Sequence, residues 1–394
     1  MKWAKIERIA LLCLLLSQAT PTWSQKYRYE TGFTLSQHNF CDTIPLLLDN
    51  GRLFLTVTID GKKQKVLLDT GSSQGVIFAD RLPEGLTHLG TVLARDGNGH
   101  TDSVQVVQMP RFQLGSNTID GYVATVHKPP VASKNDHFIV GFDLFNSGLS
   151  AKIDLQNRRL ILTDKPEMFA NESGQRLKYK LKWFVPYVIV SPFKRHADET
   201  AFDTGYAGLY TMNKEHFDRH AYKSKNVGSQ VEAVVQGQST FSLFGVEQYA
   251  EVAFMHLDRL QLADFNLLNV KARTTYGSSK LGCELLNYGA VIILPKRRQI
   301  VFQPYNGAES MEANNRLKQM AFVPSNNRPM IGIINPMSEP YKLGFRQGDV
   351  VLAIDGKPIN SFQAFVDYPF VDGQIYTFSL LSADGQQKQI RSVR

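Results

Sequence analysis

Val66-Leu67-Leu68-Asp69-Thr70-Gly71-Ser72-Ser73 and Ala201-Phe202-Asp203-Thr204-Gly205-Tyr206 decide how this chain is read. Each is an apolar run that ends on aspartate, threonine and glycine. The apolar run predicts a buried strand, and glycine permits a tight turn where a side chain would not fit. Such a unit carries a carboxylate at a loop tip. Two units in one chain can bring two carboxylates face to face. A pair that close cannot both ionise freely, so it shares a proton and can serve as acid and base together.

The tripeptides belong to a longer internal repeat. The first copy continues through Arg111-Phe112-Gln113-Leu114 to Ile139-Val140-Gly141. The second continues through Arg259-Leu260-Gln261-Leu262 to Lys280-Leu281-Gly282. Both then enter a strand-turn-strand, Ala151-Lys152-Ile153-Asp154 with Arg159-Leu160-Ile161-Leu162, and Ala290-Val291-Ile292-Ile293 with Gln299-Ile300-Val301-Phe302. Each copy spans about 125 residues, an ordinary domain size.

The pattern within each copy is mostly β. Residues 53–59 alternate, Asp60-Gly61 supplies a hairpin turn, and 65–68 return. Asp96-Gly97-Asn98-Gly99 is a second strong turn, with Gln236-Gly237-Gln238 as its counterpart. Short helices are expected at 142–146 and 284–287. Residues 166–175 read as a linker between the copies, and 306–315 as a polar spacer after the second.

Apolar residues before Asp-Thr-Gly-Ser-Ser, with Ile139-Val140-Gly141 downstream, resemble the retropepsin-like and pepsin-like aspartic peptidases. Exported bacterial aspartyl proteases with a C-terminal PDZ domain are the family this chain resembles most. The resemblance implies a mainly β fold. Two retropepsin-like β lobes, 40–165 and 176–304, would form a pseudo-dimer, followed by a PDZ-like α+β domain at 320–394. The last part rests on Leu343-Gly344, Gly348-Asp349 and Asp355-Gly356. Pro324 to Pro329 stands where that family's carboxylate-binding loop would lie.

The implied activity is that of an aspartic endopeptidase, with water activated by an Asp69/Asp203 dyad. The implied partners are a polypeptide substrate and a peptide or protein at the PDZ-like domain. No cofactor or metal is implied. Thr70 and Thr204 match threonines that cross-link the lobes beneath the aspartates. Gly71 and Gly205 match glycines that let the two backbones approach. Ser72 matches a hydroxyl that hydrogen-bonds the first carboxylate, whereas the second motif has Tyr206 there. The expectation is therefore that Asp69 carries more of the charge and Asp203 more of the proton. Gly97, Asn98 and Gly99 are candidates for a substrate-covering flap, and Gly237 for its second-lobe equivalent. The alternative is a non-catalytic peptide-binding protein on the same fold, with Tyr206 marking a degenerate half.

Length and charge bound the other classes. A chain of 394 residues holds about two or three domains. The net charge is +8, but the cations are scattered, with no basic stripe for nucleic acid. No phosphate loop occurs. Lys2, Lys5 and Arg8 precede an apolar run at 9–16, and small residues offer cleavage after Ala19 or Ser24. Residues 1–24 thus read as a signal peptide. The mature protein would be periplasmic or extracellular and free of the membrane; an uncleaved anchor is the other reading. Cys41 and Cys283 then remain, either paired or separate.

Overall fold

The computed structural model describes residues 32–83, 86–128, 138–221, 224–315, 317–371 and 373–393. The expected signal peptide lies outside the described residues. Among those described, no helix is long and apolar enough to cross a membrane.

The run before Asp69 forms the strand Lys62–Leu68. Side chains alternate across a strand, so Val66 and Leu68 enter the main core while Leu67 faces the opposite way. Asp60 and Gly61, at φ 48° and 75°, turn the chain back onto Arg52–Ile59. On its other side Lys62–Leu68 pairs in parallel with Phe138–Val140. That strand pairs antiparallel with Gly75–Phe78, which pairs in parallel with Val123–His127.

The second copy repeats this ladder strand for strand. His196–Asp203 pairs in parallel with Lys280–Gly282. Lys280–Gly282 pairs antiparallel with Tyr210–Asn213, which pairs in parallel with Phe265–Thr275. The repeat seen in sequence is therefore a repeat in topology, and the fold is mainly β with two lobes.

A six-stranded sheet joins the lobes, in the order Gln175–Lys178, Gln299–Pro304, Gly289–Leu294, Ser150–Asp154, Arg159–Thr163, Cys41–Pro45. Three strands come from each half. At the seam Ala151 faces Ile293, Lys152 faces Ile292 and Ile153 faces Val291. Every residue of Gly289–Leu294 is buried, which accounts for its unbroken apolar sequence.

The C-terminal region forms its own sheet around Ile331, Phe345, Val351, Phe362, Phe378 and Leu380. Met320–Ser325 is one edge strand, and Phe362–Val366 is one of its short helices. Residues 324–329 run from one strand into the next, with Asn326 and Asn327 at φ 47° and 59°.

One expectation changes. Residues 306–315 are not merely a spacer: Ser310–Glu312 pairs in parallel with Phe265–Thr275, and Met311 packs against the core. A single apolar residue among polar ones carries too little periodicity to announce such a strand. Cys41 is exposed, Cys283 is buried, and both are free thiols. Short helices form at Asp143–Asn146 and, in 3-10 form, at Cys283–Asn287.

Candidate active site

The two ladders deliver Asp69 and Asp203 together at the interface between the lobes. Backbone geometry holds each one. The Gly71 N–H donates to Asp69 Oδ1 at 2.8 Å. The Gly205 and Tyr206 N–H groups donate to Asp203 Oδ1 at 3.0 and 3.1 Å. Each glycine also lies against the opposite aspartate. A Cβ on Gly71 would sit 2.4 Å from Asp203 Cγ, and one on Gly205 2.5 Å from Asp69 Cγ. Neither position has room for any side chain.

Beneath the carboxylates the threonines cross. Thr70 Oγ1 donates to the Phe202 carbonyl at 2.7 Å and accepts the Thr204 N–H at 3.0 Å. Thr204 Oγ1 donates to the Leu68 carbonyl at 2.7 Å and accepts the Thr70 N–H at 3.0 Å. Both threonines are fully buried. These four bonds run between the lobes and set the separation of the loops that carry the aspartates.

Ser72 does not do what was expected of it. Its hydroxyl donates to the Gln74 carbonyl at 2.8 Å rather than to Asp69. The charge distribution of the pair follows from other groups. Burial, then the negative charge of Asp203, raises the Asp69 pKa from its ordinary 3.8 to about 7, against the Gly71 N–H. Lys280 Nζ stands 3.6 Å from Asp203 Oδ2. Burial opposes the ammonium, but Asp203, Tyr206 and Asp69 outweigh it and hold Lys280 protonated, its pKa above the ordinary value. Asp69 is thus the carboxyl that burial and its neighbour push up, Lys280 is the cation beside Asp203, and the Ser72 hydroxyl on which the opposite expectation rested is not at Asp69.

The hairpin of Thr87–Arg95 and Thr101–Gln108 crosses the cleft. The buried Asp96 carboxylate shapes its tip by accepting the N–H groups of Asn98 and His100 at 3.0 and 2.8 Å. Gly99 adopts φ 89° there. Gly97 reaches the second lobe: a Cβ on it would lie 2.9 Å from Lys280 Nζ, and one on Gly277 only 2.2 Å from the Gly97 carbonyl oxygen. Asn98 Nδ2 donates to the Gly245 carbonyl at 3.3 Å. Gly97, Asn98 and Gly99 thus lie across the cleft above Lys280.

Gly237 is not a flap tip. It lies in the strand Val231–Gly237, opposite Ala250, and is buried against the C-terminal domain. A Cβ there would sit 2.4 Å from the Gly332 carbonyl oxygen, to which the Gln238 N–H also donates at 3.0 Å. The chain reverses later, in a small hairpin pairing Phe241–Ser242 with Gly245–Val246. Its tip is Leu243-Phe244, apolar residues that give no turn signal. Leu243 packs on Phe54, Leu67, Val76, Phe78 and Ile139 of the first lobe. The Phe244 N–H donates to Asp96 Oδ2 at 3.2 Å, and its ring lies 5.3 Å from His127. Phe241 meets Phe362 of the C-terminal domain edge-on at 5.1 Å. One short hairpin therefore touches both lobes and the third domain.

Lys280 and Leu243 were given no role from the sequence, and Asp96 was read only as part of a turn. Lys280 had a signal: it is the repeat counterpart of Ile139, and a lysine in an otherwise apolar triplet is an anomaly. Among the described residues, no group of His, Cys, Asp and Glu could hold a metal ion.

A family model described as aspartyl protease matches residues 55–144, a stretch that contains Asp69 and most of the first-lobe ladder. None of the curated proteins matches this chain. Solved structures similar to it include two globulins. Basic 7S globulin from soybean has 11% identity and a TM-score of 0.43, over 67% of this chain and 94% of that one. Conglutin gamma, a basic 7S globulin from lupine seeds, has 10% identity and a TM-score of 0.43, over 68% of this chain and 95% of that one. Similarity at this level says nothing about activity.

Proposed function

We propose that this chain is an exported aspartic endopeptidase that hydrolyses peptide bonds of extended polypeptides bound between its lobes. One observation carries the reading: two repeat-related aspartates, each against the glycine of the opposite motif, stand directly above crossed threonines. Asp203 would act as general base on a water held between the carboxyls. Protonated Asp69 would hydrogen-bond the scissile carbonyl and later return a proton to the departing amine. Export rests on the basic and apolar pattern of residues 1–24. The C-terminal domain would be PDZ-like and take a peptide along its edge strand Met320–Ser325.

The direct test is inhibition. A peptide carrying a statine hydroxyl in place of the scissile carbonyl should compete with substrate and suppress cleavage of an unfolded protein. Cleavage indifferent to saturating statine peptide would contradict the dyad.

The working dyad holds one proton, and its loss from Asp69 removes the acid. Rates should therefore fall as pH rises through about 7, where Asp69 deprotonates. A kcat/KM profile that stays level from pH 6 to about 9, two units past that point, would show that the proton is not needed.

A second reading has one specific observation in its favour. In this structure Leu243 covers the apolar patch beside Asp69, Lys280 stands on Asp203, and Gly97 closes over Lys280. A non-catalytic peptide-binding protein would tolerate that arrangement; an enzyme must open it.

A further inference from the structure

The two ladders allow a residue-by-residue comparison of the two halves of the cleft. Residues in register across a sheet share a face. In the first lobe one such row runs Phe54, Leu67, Ile139, Val76, Thr125. In the second lobe the same pairings give Tyr187, Ala201, Lys280, Thr211, Arg273. Leu67 and Ala201 each lie two residues before an aspartate of the pair, so both rows share the aspartates' side of their strands. Lys280 reaches Asp203, which places its row at the cleft.

Pairings that are symmetric carry side chains that are not. The first row is apolar along most of its length. It already holds a branched aliphatic side chain, because Leu243 packs on Phe54, Leu67, Val76 and Ile139. The second row has two cations, Lys280 and Arg273, flanking Thr211. One strand separates them, so their backbones lie about 10 Å apart, at roughly 4.8 Å per strand. Lys280 has three N–H donors and uses one side of its ammonium toward Asp203. Arg273 Nη2 donates to the Ser239 carbonyl at 3.1 Å, whereas its Nη1 is buried with no hydrogen-bond partner. A buried guanidinium nitrogen without an acceptor is costly, and a carboxylate is the ligand that fits a guanidinium and an ammonium together. An aliphatic side chain there would leave Arg273 Nη1 without an acceptor.

Resting on the endopeptidase reading, we infer that the cleft takes a bulky apolar side chain on its first-lobe half and an acidic side chain on its second-lobe half. Phe54, Leu67, Val76 and Ile139 receive the former after Leu243 withdraws. Lys280 and Arg273 receive the latter. Substrates are then polypeptides in which an aliphatic or aromatic residue adjoins Asp or Glu.

The test uses fluorogenic peptides containing Leu beside Glu, in both orders, with Gln counterparts. The full mature chain should cleave one order with kcat/KM favouring Glu over Gln by about tenfold or more, the scale of one charge-assisted hydrogen bond. In Lys280→Met and in Arg273→Met that ratio should shrink. In the double variant it should fall to about twofold or less, within the spread expected for neutral hydrogen bonds. The ratio at fixed pH is the readout, because Lys280→Met also perturbs Asp203. Equal cleavage of Glu and Gln peptides in both orders would overturn the inference and leave the endopeptidase reading standing, as would a preference untouched in the double variant. Fluorescence anisotropy with the Asp69→Asn chain separates the two claims. Selective binding of the Glu peptide, with no cleavage by the parent, would sink the endopeptidase reading and retain the acidic subsite. Neither cleavage nor binding of any peptide would overturn the acidic subsite.

Discussion

Asp69→Asn and Asp203→Asn, each alone, are expected to abolish cleavage of an unfolded protein, with rates down by about 10²–10⁴-fold or more. The two substitutions fail for different reasons. Lys280 Nζ stands 3.6 Å from Asp203, the proposed base, so Asp203→Asn removes the group that takes the proton from water. Asp69 holds the proton near neutrality, so Asp69→Asn keeps a hydrogen-bond donor but cannot give its proton away. Neither change alters side-chain volume, and both sites keep the backbone N–H contacts of Gly71 and Gly205. Far-ultraviolet circular dichroism should therefore be unchanged. Either variant cleaving at the parental rate would end the dyad mechanism.

Thr204→Val is expected to cost both stability and rate. It leaves the Thr70 N–H without its acceptor and the Leu68 carbonyl without its donor, in a region where Leu68, Thr70 and Thr204 are fully buried. Each unsatisfied group costs about 1–3 kcal/mol, so the loss should be about 2–6 kcal/mol. The urea midpoint should drop by the corresponding amount with little change in slope. Displacing one loop by about 1 Å can also cost roughly 10²-fold in rate. Thr204→Ser keeps the hydroxyl and loses one methyl, so most of both losses should be absent. Equal damage from Ser and Val would mean that the methyl matters and the crossed hydrogen bonds do not.

Much of this architecture was legible because it is encoded locally. The Asp60-Gly61 turn, the apolar runs before each Asp-Thr-Gly and the repeated downstream glycines announce strands, turns and a duplication without tertiary information. What escaped depends on contacts. Ser72 chooses between two nearby acceptors, and only the folded loop shows that the Gln74 carbonyl wins. The Gln-Gly-Gln at 236–238 has the composition of a turn, yet Gly237 is needed for close packing on Gly332. The true reversal at Leu243-Phe244 is apolar because its tip is buried on the first lobe, so tertiary packing overrides turn propensity there. Lys280 is visible in the repeat as the counterpart of Ile139, but only the parallel pairing with Ala201 brings it to Asp203.

The seam at which Ala151, Lys152 and Ile153 meet Val291, Ile292 and Ile293 makes the two halves one covalent and hydrogen-bonded body. An assembly of two identical subunits about a two-fold axis must present the same residue at every equivalent place. Joining the copies end to end lifts that constraint. Ile139 and Lys280 can then occupy equivalent places, and each can change by mutation without altering the other. Recognition of a directional ligand, whose two ends differ, becomes available to a scaffold whose backbone keeps its duplicated plan.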